Sequence, residues 1–449
     1  MKKAFYSLFI SISLFGQISI EDAWLQVELK NEGVKALESD VNRAELKKSS
    51  AKSMYLPSVT LTGSYTHLSE PVNIDISSFS NKANAILGTL GATSRVPNEL
   101  DLSEKDVFLA DLQMLWPLYT GGKIDAAQDI YAAQLDEQNA LKEMKKDKEF
   151  LKLIKYYYGV VVSDSLYKTR LEAQKALTLH YENAKKLKEQ GQIAKIELLN
   201  AEVKLDSARI ESTNAKHKLH IALSALHSLT KTLKNPSSKL FVNEEVQNES
   251  YYVNETQENY VGLKILDAKE KQTKAIVSIK EAAWHPEVAA FANYNLYKDD
   301  SPIMSTLPKW FGGLMVKIDI LQRKDRSQEI QAAKLLSSKL KHLKTEAIEN
   351  LALLVEKTYK EMIAAREEFN SLNSSIDLAK ENYRLRTIAF KEGLSTSVEL
   401  VDAQMFLLGA KTKRLNAAYS FVKKLSQLSV LSANREKFFE IQNLSAEIE

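Results

Sequence analysis

Four short segments of the chain alternate between polar and apolar residues, the pattern of strands with two unlike faces. In residues 57–67 hydroxyl side chains occupy every second position, and in residues 107–119 Asp111 and Gln113 oppose an apolar face. Residues 287–297 and 310–321 form a second pair of alternating segments. Each segment has the length of about 9–12 residues that a tilted strand needs to cross a bilayer, with aromatic residues near its ends. The alternation alone leaves two alternatives open, membrane strands or a small soluble sheet.

After each strand pair the period of the apolar residues changes to about 3.5, the spacing of a coiled-coil seam. Alternating steps of three and four from Leu198 and from Leu400 meet almost only apolar residues, many of them Ala. The pattern predicts two antiparallel helical hairpins, residues 124–230 and 326–433. Their first helices would be on the order of 95 Å long and would turn back at Gly191 and Gly393, because Gly commonly ends helices.

The two strand-and-hairpin segments are copies of each other, about 200 residues apart, which is too long a period for a solenoid. Residues 187–208 align with residues 389–410 and share, among others, the pairs Gly191/Gly393 and Glu197/Glu399. We therefore predict a first repeat at 20–234 and a second at 259–433. A polar linker without a strong period, residues 235–258, separates them, and residues 434–449 form a charged tail. Residues 68–106 and 298–309 connect the paired strands as surface loops.

The N-terminus is typical of a secretory signal, predicted at residues 1–19. Lys2 and Lys3 precede an apolar stretch, residues 4–15, that is too short to span a bilayer. The alternative is a helix of the mature protein. The rest of the chain has no apolar run of about 18 residues, so no transmembrane helix is predicted. Cysteine is absent, which excludes disulfides, thiolate metal sites and an N-terminal lipid anchor on Cys. The net charge of +3 is spread through mixed Lys and Glu, which argues against nucleic acid as a partner.

No sequence motif for catalysis or nucleotide binding is found, so we expect neither an enzyme nor a cofactor. Three histidines, His217, His220 and His227, fall near the end of one predicted helix. A metal site there is conceivable, but no carboxylate or Cys completes the set, and solvated or packed coiled-coil positions are the preferred interpretation.

If the four strands cross a membrane, they cannot close a barrel on their own, because lipid tolerates no open sheet edge and the smallest barrels need eight strands. Two chains would give eight strands around a filled interior, and three would give twelve around a lumen. We therefore predict a homotrimer.

The chain resembles the TolC-like outer-membrane efflux proteins of Gram-negative bacteria. The resemblance rests on residues 18–23 (ISIEDA), on residues 116–123 (WPLYTGGK) at the junction of strand and long helix, and on the two glycine turns followed by Glu-Leu-x-x-Ala. The second half departs from the pattern, since residues 320–324 (ILQRK) replace the Pro-Leu-aromatic-x-Gly-Gly run.

The resemblance implies a mainly α chain with a membrane β-barrel part: a trimeric 12-stranded barrel in the outer membrane, continued by an α-helical tunnel in the periplasm. It implies a passive duct for substrates that an inner-membrane transporter exports through a periplasmic adaptor (membrane fusion) protein. The adaptor would contact the hairpin tips at Gly191, Gln192, Gly393 and Leu394.

The resemblance also implies an acidic ring at the periplasmic entrance, formed by Glu399 and Asp402. These residues lie three apart on one helical face, and three copies would attract cations. The alternative is a solvated pair of acids on an exposed face. The first-half counterparts, Glu197 and Asn200, carry a single acid, which makes the second hairpin the inner one.

Two other functions remain open. An exit duct for type I protein secretion would differ in its partner and not in any residue we identify. A periplasmic coiled-coil structural or adaptor protein would not need paired alternating strands.

Overall fold

The computed structural model describes residues 16–298, 300–320 and 323–445, so most of the predicted signal, residues 1–15, lies outside the described residues. The helices are α1 (Ile20–Lys30), α2 (Glu32–Ala51), α3 (Ser77–Thr89), α4 (Lys123–Glu189), α5 (Lys195–Thr230), α6 (Glu249–Asn259), α7 (Val261–Ala282), α8 (Pro302–Ser305), α9 (Arg326–Lys391), α10 (Ser397–Leu431) and α11 (Arg435–Leu444). The strands are β1 (Gln17–Ile18), β2 (Ser58–His67), β3 (Asn73–Asp75), β4 (Glu99–Asp101), β5 (Asp106–Tyr119), β6 (Asn235–Pro236), β7 (Glu287–Lys298) and β8 (Trp310–Lys317). The prediction of a mainly helical chain with two like halves, each with a strand pair and a helical hairpin, is confirmed.

The chain divides into two compact units, and each draws on both halves of the sequence. The helical unit comprises the described residues up to position 42, residues 136–267, and the described residues from 341 onward. The sheet unit comprises residues 43–135 and the described part of 268–340.

The sheet unit contains one antiparallel four-stranded sheet in the order β2, β5, β7, β8. One register row across it is apolar: Leu61, Leu112, Tyr294 and Trp310. The next row, which faces the other side, is mostly polar: Thr60, Gln113, Asn293 and Phe311. Leu61 and Trp310 are 66% and 69% exposed, so the apolar face is uncovered. Among the described residues, β2 and β8 have no further strand partner, which leaves both sheet edges open.

The two strand-to-helix junctions differ. Between β5 and α4, Gly121 and Gly122 have φ values of 64° and 89°, the left-handed region that favours glycine. A Cβ on Gly121 would lie 2.7 Å from the His285 Cβ. At the second junction β8 ends at Lys317, earlier than the predicted position 321. There the Arg326 guanidinium donates to the Asp319 carbonyl and stacks over the Trp284 ring at 5.1 Å.

The helical unit has a large apolar core, to which the middle parts of α4 and α9, the ends of α5 and α10, and the helices α1 and α11 all contribute. Phe150, Tyr157 and Phe421 are fully buried in it. The Tyr157 hydroxyl donates to the Ile18 carbonyl at 2.7 Å and accepts the backbone N–H of Ser238 at 2.9 Å. A single buried side chain thus holds both the first described segment and the segment that follows α5.

The predicted linker and tail contain regular structure. The linker, residues 235–258, includes β6 and most of α6, and α11 occupies much of the predicted tail. Among the described residues, no helix combines the length and apolarity required to cross a membrane.

Candidate functional site at the hairpin tips

Both helical hairpins turn back through the same backbone geometry. Gly191 and Gly393 have φ values of 73° and 72°. In each turn the N–H of the next residue, Gln192 or Leu394, donates to the carbonyl five residues earlier at 2.8 Å. This is the Schellman motif, which satisfies helix-end carbonyls and requires a left-handed residue after the helix. The two predicted tip glycines therefore have a local physical role.

The second tip begins its return helix with a capping box. The Thr396 hydroxyl accepts the Glu399 N–H at 3.3 Å, and the Glu399 carboxylate accepts the Thr396 N–H at 3.0 Å. The Ser395 hydroxyl also donates to Glu399, at 2.7 Å, and Arg386 lies 3.2 Å from it. Hydrogen bonds from Ser395 and Thr396, followed by the charge of Arg386, lower the pKa of the Glu399 carboxyl. Glu399 is thus an ionised capping residue whose charge is partly offset.

The equivalent acid of the first tip has a different role. Ala194 stands where the second tip has Thr396, and it provides no side-chain cap. Glu197 is therefore not engaged in a capping box, and its carboxylate accepts the N–H of Ser397 from the other hairpin at 3.2 Å. The two glutamates occupy equivalent positions in the two halves, but Glu399 binds the backbone of its own tip and Glu197 binds that of the other hairpin.

A buried histidine makes a second contact with the same serine. The Nε2 atom of His180 on α4 is hydrogen-bonded to the Ser397 hydroxyl, and its ring meets Phe390 edge-on with centroids 4.6 Å apart. The Nδ1 atom is buried without a hydrogen-bond partner. Burial lowers the pKa of His180 below its ordinary 6.5, and the charge of Glu197 opposes part of that shift. We call His180, Glu197 and Ser397 the tip clasp.

The tip clasp does not have the chemistry of a nucleophilic site, although it contains a serine hydroxyl bonded to an imidazole. Ser397 and His180 are only 1% and 6% exposed, so no substrate reaches them. No carboxylate orients Nδ1, since Glu197 binds the serine backbone instead. The arrangement fastens α4 and α5 to the start of α10.

Sequence reasoning did not identify His180 or Ser397. A signal was nevertheless present, because α4 buries residues at alternating steps of four and three: Ala173, Leu177, His180 and Ala184. A histidine at a seam position must find a partner on the facing helix. Apolar residues also pack between the two hairpins, in a small buried cluster of Leu177, Leu205, Ala208 and Val401.

The remaining predicted residues are on the surface. Asp402 is exposed on α10, three residues after Glu399, and the described residues provide its carboxylate with no hydrogen bond or ion pair. Gln192 is exposed and Leu394 is 82% exposed. Within the described part of the chain, no group of three His, Cys, Asp or Glu side chains could hold a metal ion, the three histidines of α5 included.

Comparison with known proteins agrees with this architecture. A sequence model of the family described as "Outer membrane efflux protein" matches residues 25–230 and 253–434. The fold is similar to that of CusC, with a TM-score of 0.76 at 12% identity over 94% of each chain. The fold is also similar to that of VceC from Vibrio cholerae, with a TM-score of 0.73 at 12% identity over 93% of this chain and 96% of VceC. For CmeC from Campylobacter jejuni the TM-score is 0.72 at 13% identity, over 94% of this chain and 89% of CmeC. No curated protein matches the sequence.

Proposed function

We propose, from the premise that this chain belongs to the outer membrane efflux protein family, that it is the outer-membrane duct of a tripartite export system. In this role it is a passive channel, and an inner-membrane pump supplies the substrates through a periplasmic adaptor. The observation that carries the proposal is the sheet with one exposed apolar face, one mostly polar face and two open edges. Such a sheet fits a bilayer on one side and water on the other.

The open edges of β2 and β8 support a homotrimer. If β8 of one copy pairs with β2 of the next, three sheets make a closed barrel of twelve strands and no backbone edge meets lipid. Membrane fractionation and native mass measurement in detergent test this. The expected result is a trimer in the outer-membrane fraction, and a soluble monomer would overturn the proposal.

The hairpin tips are proposed to contact the adaptor. Leu394 projects an apolar side chain into solvent at the second tip, next to Gly393. The chain has no native cysteine, so Cys placed at Gln192 or Leu394 provides a unique cross-linking site. We expect cross-links to the adaptor from these positions and none from a control cysteine at Ser94, in the loop between β4 and α3. Cross-links from the control alone would mean that the loop between α3 and β4, and not the hairpin tips, faces the adaptor.

Asp402 and Glu399 are proposed to form the acidic ring at the periplasmic entrance, with Asp402 as the main determinant of selectivity. Its charge is unpaired among the described residues, whereas Arg386 lies beside Glu399. We expect Asp402→Asn to reduce cation preference in planar-bilayer recordings. Asp206→Asn, an exposed acid on the other hairpin that pairs with Arg209, is the control and should have no effect. Unchanged selectivity in Asp402→Asn would mean that this face does not line the pore.

A further inference from the structure

The segment between β2 and β5 is a small folded element. The hairpin continues beyond the sheet, because Leu68 N–H donates to the Lys105 carbonyl at 2.7 Å and β3 pairs with β4. Helix α3 lies between these two short strands in the sequence. The Asp75 carboxylate accepts the N–H of Ser77 at 2.7 Å at the start of this helix.

Specific hydrogen bonds fix the rotation of α3. Ser80 is fully buried and its hydroxyl donates to the Asn98 side chain at 2.5 Å. The Asn84 side chain accepts the Val96 N–H at 2.7 Å and donates to the Val96 carbonyl at 3.0 Å. With Ser80 and Asn84 turned inward, the face of α3 that meets solvent is fixed.

Part of the exposed surface is an apolar stripe, formed by Phe79, Ile86 and Leu90 with the half-buried Ala83 between them. Phe79, Ile86 and Leu90 are 67%, 61% and 75% exposed. The steps of four, three and four are those of a coiled-coil seam, which packs against another helix of the same kind. Several large apolar side chains exposed to water on one helix indicate a contact surface.

The charges around α3 argue against a membrane surface as the partner of this stripe. Helices that lie on a membrane surface carry Lys and Arg along their polar face, because these residues bind anionic headgroups. The single charged residue of α3 is Lys82, and the loop as a whole is more acidic than basic: Glu70, Asp75, Glu99, Asp101 and Glu104 against Lys82, Arg95 and Lys105. This composition disfavours a lipid surface as the partner of α3.

The position of the loop beside an edge strand favours a second copy of the chain as the partner of α3. The loop follows β2, an edge strand of the sheet, at the end of the β2–β5 hairpin opposite to the start of α4. In the proposed trimer β2 borders the next copy, so three loops surround one mouth of the barrel.

We propose that the α3 helices of three chains pack together through Phe79, Ala83, Ile86 and Leu90 and narrow the outer mouth of the duct. This inference rests on the proposed trimeric duct. It places a contact between copies in residues 68–106, the longer of the two loops that connect paired strands. Closure of the twelve-stranded barrel does not require this contact.

Cysteine cross-linking tests the proposal, because a chain without native cysteine can be covalently cross-linked by a maleimide only through the introduced residue. In the full-length trimer, Ile86→Cys treated with a short bis-maleimide should give dimers on a denaturing gel. Ala85→Cys is the matched control: it is exposed on the same helix but lies off the stripe, and it should remain monomeric on the gel. Equal cross-linking of the two variants, or none from Ile86→Cys in an intact trimer, would overturn the α3 contact and leave the duct proposal standing.

Conductance provides a second readout. Ile86→Asp places charges within the proposed contact and should raise single-channel conductance, whereas Thr89→Asp, exposed on the same helix, should change it little. Native mass measurement distinguishes a failure to form the trimer from a failure of the α3 helices to pack within it. If the wild-type protein is not trimeric, the proposed function fails first. If Ile86→Asp remains trimeric with unchanged conductance, the helices do not narrow the mouth.

Discussion

Replacing Ser397 by Ala should weaken the tip clasp selectively. The substitution removes the hydroxyl that is bonded to the His180 Nε2 atom and leaves both ring nitrogens buried without a partner. It removes a single oxygen atom, and the backbone N–H of residue 397 that donates to Glu197 is retained. The perturbation therefore acts on one contact between the hairpins and leaves the Schellman turn and the capping box intact.

The size of the effect follows from the burial of His180, which is 6% exposed. Leaving a buried polar atom unpaired costs about 1–3 kcal/mol. A free-energy change of that size shifts an equilibrium by about 5–150-fold. The population in which the two tips are locally separated should rise by the same factor.

Hydrogen exchange of the residue 397 amide measures that population. This N–H is in the first turn of α10, where amides have no acceptor within the helix. Its protection therefore depends on the Glu197 carboxylate of the other hairpin, and its exchange should accelerate by the factor given above. Ser395→Ala is the control, because Ser395 donates to Glu399 within the same tip and should leave this amide protected. Unchanged exchange in Ser397→Ala, or an equal change in the control, would refute the clasp.

Three further results are expected. Burial holds the pKa of His180 below 6.5, so the separated tips bind more protons as the pH falls below 6.5. Protection of the Ser397 amide should therefore decrease in acid, and His180→Gln should weaken this pH dependence. Burial raises the pKa of Asp147 from 3.8 to about 6 despite its Arg435 partner. As the pH rises from 4 to 6, ionisation of Asp147 should therefore lower the free energy of unfolding of the helical unit by about 3 kcal/mol. Denaturant unfolding at several pH values should show a smaller decrease in Asp147→Asn. Gly121→Ala should reduce the yield of folded protein in membrane extracts, because its Cβ meets His285; Gly122→Ala, with open space around it, should cost only backbone strain of about 1–2 kcal/mol.

The sequence by itself determined the fold class. Alternation with period two identified the strand pairs, the period of about 3.5 identified the hairpins, and the glycines at 191 and 393 marked their turns. These features are local, because a strand or helix must turn one face toward its core and a left-handed turn needs a residue such as Gly. The same reasoning found no element in the charged C-terminal segment, where α11 buries Phe438 against the rest of the helical unit. A short helix with one or two buried side chains leaves too weak a period to identify.

The tertiary structure decided how the tips are used. Glu197 and Glu399 are equivalent in the duplicated sequence, yet Glu399 caps its own helix and Glu197 binds Ser397. His180 and Ser397 are 217 residues apart in the chain. A hydrophobic period determines which face of a helix is buried, but it carries no information about the side chains that this face packs against. That second choice depends on how two hairpins align along their lengths, and the alignment exists only once both have folded.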